Sequence, residues 1–465
     1  MRGDVTRLRA GAVLTIVLSC ALTLAATPPP VAASSISIYI GTGAAGSGGS
    51  CSQPEYGTGG GDATPVFADA YDDIVTSGTI FLCAGTYDFE TSPSTVLGGR
   101  SITITGAGKA NTHLDGGDVR RIFDMELGGT LTLRNLHITN GGGDSGDGAG
   151  AIRADGVDLK LSNIRFDSTG VTDPASDGGI VKVNHGNVSI RNSEFLGGYA
   201  DDVGGAVFIV GGSLTVVGSR FDGNSAAYGG AIFADDSNVS VLKSRFEGNV
   251  AGEHDGAIGV YGGSLVVKNS TFLDNSVSNF YGGAIHTMDS DVTVLSSRFE
   301  GNSSSANGGA IDLCAEDSLQ RARISGSVFV DNSAGGNGGG LGIFCDSWTE
   351  VIVVGNRFVE NTAGDDGGGL WTAGSSIVLH RNLFVDNQTG DKGGGAAVYK
   401  EGAWTPAKLR ALGRNIYRSN DASCGGGIAL DDGSDADAVA LVRGSRFQGN
   451  SAADPTAEKV CISSL

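Results

Sequence analysis

A paired motif that returns nine times constrains this chain more than any other feature. An aromatic residue followed three positions later by asparagine occurs at Phe221/Asn224, Phe246/Asn249, Phe272/Asn275, Phe299/Asn302, Phe329/Asn332, Phe358/Asn361, Phe384/Asn387 and Phe447/Asn450, with Tyr417/Asn420 as a variant. Successive aromatics are 25, 26, 27, 30, 29, 26, 33 and 30 residues apart. About ten residues after each comes a Gly-Gly-Ala-Ile element, as at 229–232, 282–285 and 308–311, which relaxes to Gly338-Gly339-Gly340-Leu341 and Gly425-Gly426-Gly427-Ile428. Degenerate copies surround Phe166 and Phe195. Self-similarity of this period marks a stacked array.

Within a unit, Val239 to Phe246 alternates apolar and polar residues, as a half-buried strand does. Each unit holds two or three such strands and no helical stretch, so it cannot close a core alone. Stacking solves this, because each strand can pair in parallel with its counterpart in the next unit at about 4.8 Å. The predicted fold is all-β, a single right-handed parallel β-helix of roughly a dozen coils, about 50 to 60 Å long. Phe would then stack in one interior column and Ile/Val/Leu in a facing one. Asn would hydrogen-bond at the corners, either side chain to side chain or to the turn backbone. Composition agrees: 78 glycines with only 9 prolines imply ordered turns, and 18% charged residues exclude a coiled coil.

The GGA[ILV] and FxxN pair resembles the repeat of the chlamydial polymorphic outer membrane proteins. The resemblance covers residues 195–450 well and reaches back weakly to about 130. It implies a β-helical surface passenger on a pectin-lyase-like fold and specifies a stacking unit, not a chemistry. Those proteins continue into an autotransporter barrel. No alternating aromatic strands follow Cys461 here, so barrel anchoring is not carried over.

Residues 1–33 read as a signal peptide, with Arg2, Arg7 and Arg9 before an apolar run from Ala10 to Ala26 and small residues at Val31-Ala32-Ala33. Residues 34–130 are expected to form an N-terminal cap and the first coils, and 131–465 the repeat region. Between Thr64 and Thr76, Val66, Phe67, Ala70, Tyr71, Ile74 and Val75 fall on one helical face, with Thr64 as N-cap and Pro65 at the first position. This amphipathic helix would cap the first coil. No later segment reaches the ~18 apolar residues of a membrane span. Six cysteines remain after signal cleavage, an even number that favours disulfides in an exported chain. Cys51 is expected to bond Cys83, with another pairing left open. Cys314 and Cys345 follow the glycine elements of consecutive units at nearly one register, which leaves Cys424 for Cys461.

The search for chemistry yields little. Fifty-one acidic against 31 basic residues give a net charge of −20, which repels nucleic acid. Gly41-Thr42-Gly43-Ala44-Ala45-Gly46 fits G-x-G-x-x-G, but no helix pattern follows to hold a pyrophosphate. Six scattered histidines show no metal spacing, and no cofactor is expected. Asp-rich turns at Asp144/Asp147, Asp235/Asp236, Asp365/Asp366 and Asp431/Asp432 leave calcium open, with a solvated acidic surface as the preferred reading.

Strand alternation offers one sharper idea. If Ile232, Ile258, Ile285, Ile311, Leu341 and Leu370 point inward, then Phe233, Gly259, His286, Asp312, Gly342 and Trp371 point outward in one column, extended by Phe208. Beside it, Ala206, Ala231, Ala257, Ala284, Ala310, Gly340 and Gly369 would form a shallow floor. Phe208, Phe233 and Trp371 become candidates for stacking on sugar rings, and His286 with Asp312 a candidate acid/base pair. The competing expectation is that Gly-rich loops cover the aromatics. The reading is therefore a secreted or cell-surface β-helical protein with a structural, adhesive or binding role, its partner a carbohydrate or a surface receptor. The alternative is a polysaccharide lyase or glycoside hydrolase using the outer face of one sheet.

Overall fold

The computed structural model describes residues 36–90, 94–96, 98–142, 148, 150–167, 177–315, 320–344, 348–373, 377–399, 411–431, 444–453 and 460–462. The expected signal peptide, Cys345, Asp144, Asp147 and Asp432 lie outside them. The described chain winds as a right-handed parallel β-solenoid of about 12 turns with one short helix. One coil shows the plan. Ile232–Leu242 lies in the first sheet, Arg245–Glu247 in the second and Val250–His254 in the third. The chain then turns at a glycine corner and returns to the first sheet at Ile258–Lys268, pairing Ile232 with Ile258. Stacking runs across residue 130 without a break, since Thr130–Arg134 pairs with Ser101–Gly106 on one side and Asp158–Ser162 on the other.

Backbone corners explain the FxxN motif. The Phe strand is three residues long and flanked by left-handed positions, Lys243 (φ 50°) before Phe246 and Gly248 (φ 59°) after it. The first aims the ring inward, and the second turns the next side chain, Asn249, back inside. From Phe195 to Phe447 the rings stack with centroids 4.7 to 5.0 Å apart and planes within 3 to 8° of parallel. Phe166 stacks beneath, and Tyr87, Leu114 and Ile138 continue the column toward the N-terminus.

The asparagines form a continuous buried ladder from Asn224 to Asn450. Each Nδ2 donates to the Oδ1 of the next coil's Asn, as Asn275 does to Asn302 at 2.9 Å, and to the Phe carbonyl of the preceding coil, as Asn275 does to Phe246 at 3.2 Å. The same Oδ1 also accepts a backbone N–H, here Asn275 N at 3.1 Å. The two kinds of contact posed as alternatives from the sequence therefore occur together, and Asn361 shows both. It stands at the corner between the strands Arg357–Val359 and Thr362–Ala363. Its Nδ2 donates to Asn387 Oδ1 at 2.9 Å and to the Phe329 carbonyl at 3.1 Å, while its Oδ1 accepts from Asn332 Nδ2 at 2.8 Å and Asn332 N at 3.1 Å. The Asn332 N–H and the Phe329 carbonyl, left open by the turns, are thereby paired. A second ladder guards the other corner. Ser193, Ser219, Ser244, Ser270, Ser297 and Ser327 accept backbone N–H groups from coil to coil, and Asn356, Asn382 and Asn415 take over this role.

The alanine column is not a floor. Ala206, Ala231, Ala257, Ala284 and Ala310 are wholly buried in the main core. The reason is a break in alternation: Ala231 N and Ile232 N both donate to the carbonyl of Ala257, so two successive residues turn inward at the corner. A Cβ added at Gly340 would lie 3.0 Å from the Phe358 ring, and one at Gly369 would lie 2.8 Å from Phe384. The third motif position is small because the Phe column presses on it.

The helix spans Thr64–Asp72 and is shorter than the periodicity suggests. Ala63, not Thr64, is the N-cap, and Asp62 accepts from the Thr64 N–H and hydroxyl at 2.9 and 2.7 Å. Phe67, Ala70, Tyr71 and Ile74 enter the core of the first coils, whereas Val75 is 77% exposed because the helix has already ended. Arg100 donates to the carbonyls of Tyr71 and Ile74, closing the helix C-terminus. Disulfides join Cys51 to Cys83 and Cys424 to Cys461, with Cα atoms 5.5 and 5.6 Å apart. Cys314 is also disulfide-bonded. Among the described residues no helix is long and apolar enough to cross a membrane.

Candidate functional site

Strand register sets Phe208, Phe233, Gly259, His286, Asp312, Gly342 and Trp371 in one column on the first sheet. The column points away from the Phe core, yet it is not open. Phe208, Phe233 and Trp371 are only 8, 7 and 6% exposed, and His286 and Asp312 only 1 and 3%. Of the two expectations for this strip, the covered one is found and the open stacking face is not. The turns leading into the glycine corners fold over it, bringing Tyr228 edge-on to Phe233 at 6.3 Å and stacking His254 on His286 at 5.2 Å. Tyr261 packs edge-on to Phe233 at 4.9 Å. Trp371 belongs to a separate small cluster with Ala373, Ala397, Ala429 and Cys461. Five coil steps, about 24 Å, separate it from Phe233, so the three aromatics do not form one site. The Phe and Asn ladders, Phe358 and Asn361 among them, lie buried inside the solenoid and take no part in this column.

His286 and Asp312 are brought together, and a third group joins them. His286 Nε2 lies 3.8 Å from Asp312 Oδ2, while Nδ1 is 2.8 Å from Asp255 Oδ1. The Tyr261 hydroxyl lies 3.3 Å from the same Nδ1. Asp255 is fully buried and occupies the position held by the first glycine of the motif in neighbouring coils. It keeps the left-handed backbone of that position, φ 67° beside 61° at Gly229 and 70° at Gly282. Space for the carboxylates comes from glycine: a Cβ at Gly259 would meet Asp255 at 2.3 Å, and one at Gly342 would meet Asp312 at 2.6 Å. The sequence signal for this third member is Asp255-Gly256-Ala257-Ile258 where other copies read Gly-Gly-Ala-Ile. Asp255, Tyr261, His254, Tyr228 and Tyr281 were not among the expected site residues.

Burial dominates the electrostatics. It pushes Asp312 up to about 6, with the His286 charge opposing and Asp255 reinforcing. Asp255 is raised by the same desolvation, which its hydrogen bond to His286 only partly offsets. Burial alone would lower His286, but the Asp255 hydrogen bond and both carboxylate charges outweigh it and hold the imidazole above its ordinary value. His254 is pushed down to about 4 by burial and by His286. The result is an imidazole clamped between two carboxylates under a lid of aromatic rings. Chemically it can share protons internally, but it presents no open face to a substrate. Among the described residues no three His, Cys, Asp or Glu groups are set to hold a metal ion.

The profile of the right-handed β-helix region matches residues 228–403, and that of the Chlamydia polymorphic membrane protein repeat matches 218–235. No curated protein sequence matches the chain. Among solved structures, the catalytic unit of a thermostable GH87 α-1,3-glucanase from Streptomyces thermodiastaticus is similar at 14% identity, over 80% of this chain and 68% of the other, with a TM-score of 0.33. A mannuronic acid specific polysaccharide family 6 lyase from human gut microbiota is similar at 12% identity, over 86% and 90%, with a TM-score of 0.34.

Proposed function

We propose that this right-handed β-helix, bearing the polymorphic-membrane-protein repeat, is an exported extracellular or cell-surface protein with a structural, adhesive or binding role rather than a catalytic one. One observation carries the reading: the His–carboxylate cluster singled out from the sequence is sealed, with His286 engaged by Asp255 and covered by His254. A general acid or base must reach the proton it moves, and this cluster reaches only its own members. The disulfides support an oxidising compartment. Export would be directed by residues 1–33, and recognition of a carbohydrate or surface receptor would fall to the outer sheet faces and turns.

The test is incubation of the mature protein with a panel of acidic and neutral polysaccharides, followed by reducing-end and unsaturated-product assays. No turnover is expected. Turnover abolished by His286→Ala or Asp312→Asn in a folded variant would overturn the proposal. N-terminal sequencing of protein recovered outside the cell should begin near Ser34, and a retained Met1 would refute the export step.

A further inference from the structure

A second group of ionisable side chains lies on the outer face of the second sheet, in coils that precede the sealed layer. His113 stands in the strand Thr112–Arg120, His137 in His137–Gly141 and Asp167 in Arg165–Asp167, three consecutive rungs of that sheet. Leu114 and Ile138 fill the core, so alternation turns His113 and His137 outward, and both are only half-buried. Parallel register sets the two imidazoles side by side, with ring centroids 4.8 Å apart and Nδ1 atoms 2.9 Å apart. Each Nε2 faces an oxygen. His137 Nε2 lies 2.8 Å from Asp167 Oδ2, and His113 Nε2 lies 3.4 Å from the Ala110 carbonyl. Arg165 Nε, 2.5 Å from the same Oδ2, holds Asp167 in place.

Two neutral imidazoles carry two N–H groups, but this arrangement presents three contacts that each need one. With both Nε2 protons kept on their oxygens, the two Nδ1 lone pairs are left facing one another. A divalent transition-metal ion between them satisfies both. The surroundings are those such ions favour, neutral imidazoles whose other N–H is fixed by a carboxylate or a backbone carbonyl. Spacing narrows the choice of ion. Two metal–nitrogen bonds of about 2.05 Å at a right angle put their nitrogens about 2.9 Å apart, whereas a tetrahedral angle puts them about 3.3 Å apart. Right angles between nitrogen ligands suit tetragonal Cu²⁺ or Ni²⁺, and Cu²⁺ binds most strongly in the divalent series.

We propose that His113 and His137 form a two-imidazole site for Cu²⁺, completed by water, with Asp167 and the Ala110 carbonyl orienting the rings. Asp115, two residues along the strand from His113 and held by the Asn140 amide at 3.1 Å, adds negative charge beside the site. Arg165 and Lys109, cations of the same face, are both paired with Glu194. The ion ties two rungs together in coils that precede the buried amide ladder, which begins at Asn224.

Electron paramagnetic resonance and calorimetric titration of the mature protein with Cu²⁺ test this. One ion per chain is expected, with superhyperfine structure from two imidazole nitrogens and a dissociation constant in the micromolar range. His113→Ala and His137→Ala should each weaken binding at least tenfold. Asp167→Asn leaves both ligands in place but loosens the His137 ring, and should cost about tenfold. His380→Ala, on the first sheet, should leave binding unchanged. His113 lies at the surface, so a metal-free melting temperature equal to that of wild type separates a lost ligand from misfolding. Binding at full strength in the His113→Ala/His137→Ala double variant overturns the proposal. So does a wild-type spectrum with fewer than two nitrogens, a measurement that depends on no variant.

Discussion

Replacing Asn302 by Ala tests the buried amide ladder where it is most regular. The side chain makes four hydrogen bonds. Its Oδ1 accepts from Asn275 N at 3.1 Å and Asn275 Nδ2 at 2.9 Å, while its Nδ2 donates to the Phe272 carbonyl at 3.2 Å and the Asn332 Oδ1 at 2.9 Å. Asn302 is fully buried, and truncation leaves partner groups in a site lined by the Phe stack. A typical net hydrogen bond contributes about 1 kcal/mol, and orphaning a buried partner costs about 1 to 3 kcal/mol. Because Asn275 Nδ2 and the Phe272 carbonyl can relax toward one another, the four losses should not add in full. The expected destabilisation is about 4 kcal/mol, comparable to removing a core Phe ring. Urea unfolding of wild type and variant, followed by far-ultraviolet circular dichroism, measures it. Hydrogen exchange should show the Asn275 amide losing protection before distant coils do. A loss below about 1 kcal/mol would mean that the ladder accompanies the turn without holding it, and would refute the argument.

Other perturbations probe the covered cluster and the staples. Asp312 has a folded pKa of about 6, above its unfolded value, so the folded state binds the extra proton and stability falls as pH rises from about 4 to 7. Asp312→Asn should remove about 3 kcal/mol of that fall, seen as diverging stability curves below pH 6; parallel curves would contradict the assignment. His286, raised in the fold, adds stability below its unfolded pKa that fades as pH climbs through the folded one, whereas His254, lowered to about 4, costs stability as pH drops from 6.5. Asp255→Gly relieves a left-handed backbone worth about 1 kcal/mol but strips His286 of its partner, so it should destabilise by about 2 to 4 kcal/mol. In a His286→Phe background the same change should become stabilising, and a double-mutant cycle without that sign reversal would sink the pairing. Cys51→Ser with Cys83→Ser should cost about 2 to 4 kcal/mol, read as a lower melting temperature.

The stacking unit was legible in the sequence because its columns repeat: Phe221 to Phe447 and Asn224 to Asn450, by way of Asn361, line up residue for residue in the structure. The serine ladder was equally present in letters, two residues before each Phe from Phe195 to Phe329, but Ser219 and Ser244 read as ordinary turn residues until their hydroxyls meet backbone N–H groups. The alanine column was misplaced because alternation assumes an unbroken strand, and the shared carbonyl of Ala257 breaks it. The covering of Phe233 and His286 was not resolved in advance, since it depends on how far each turn folds back. Even so, the single departure at Asp255 from a glycine rule kept by Gly229, Gly282 and Gly308 marks the place. Where a repeat contradicts itself, the deviating side chain calls for a partner search in the adjacent rungs.

Because each rung of the amide ladder hands the same donor and acceptor to the next, a whole coil can be inserted or deleted between Asn332 and Asn387 with its new neighbours finding unchanged contacts. The molecule's reach is thus quantised, like a ruler cut in equal divisions of about 4.8 Å. The layer spanning Asp255, His286 and Asp312 is exempt, since its three members sit on consecutive rungs and an extra one would part them. Variants that differ in length should therefore gain or lose their divisions outside that layer.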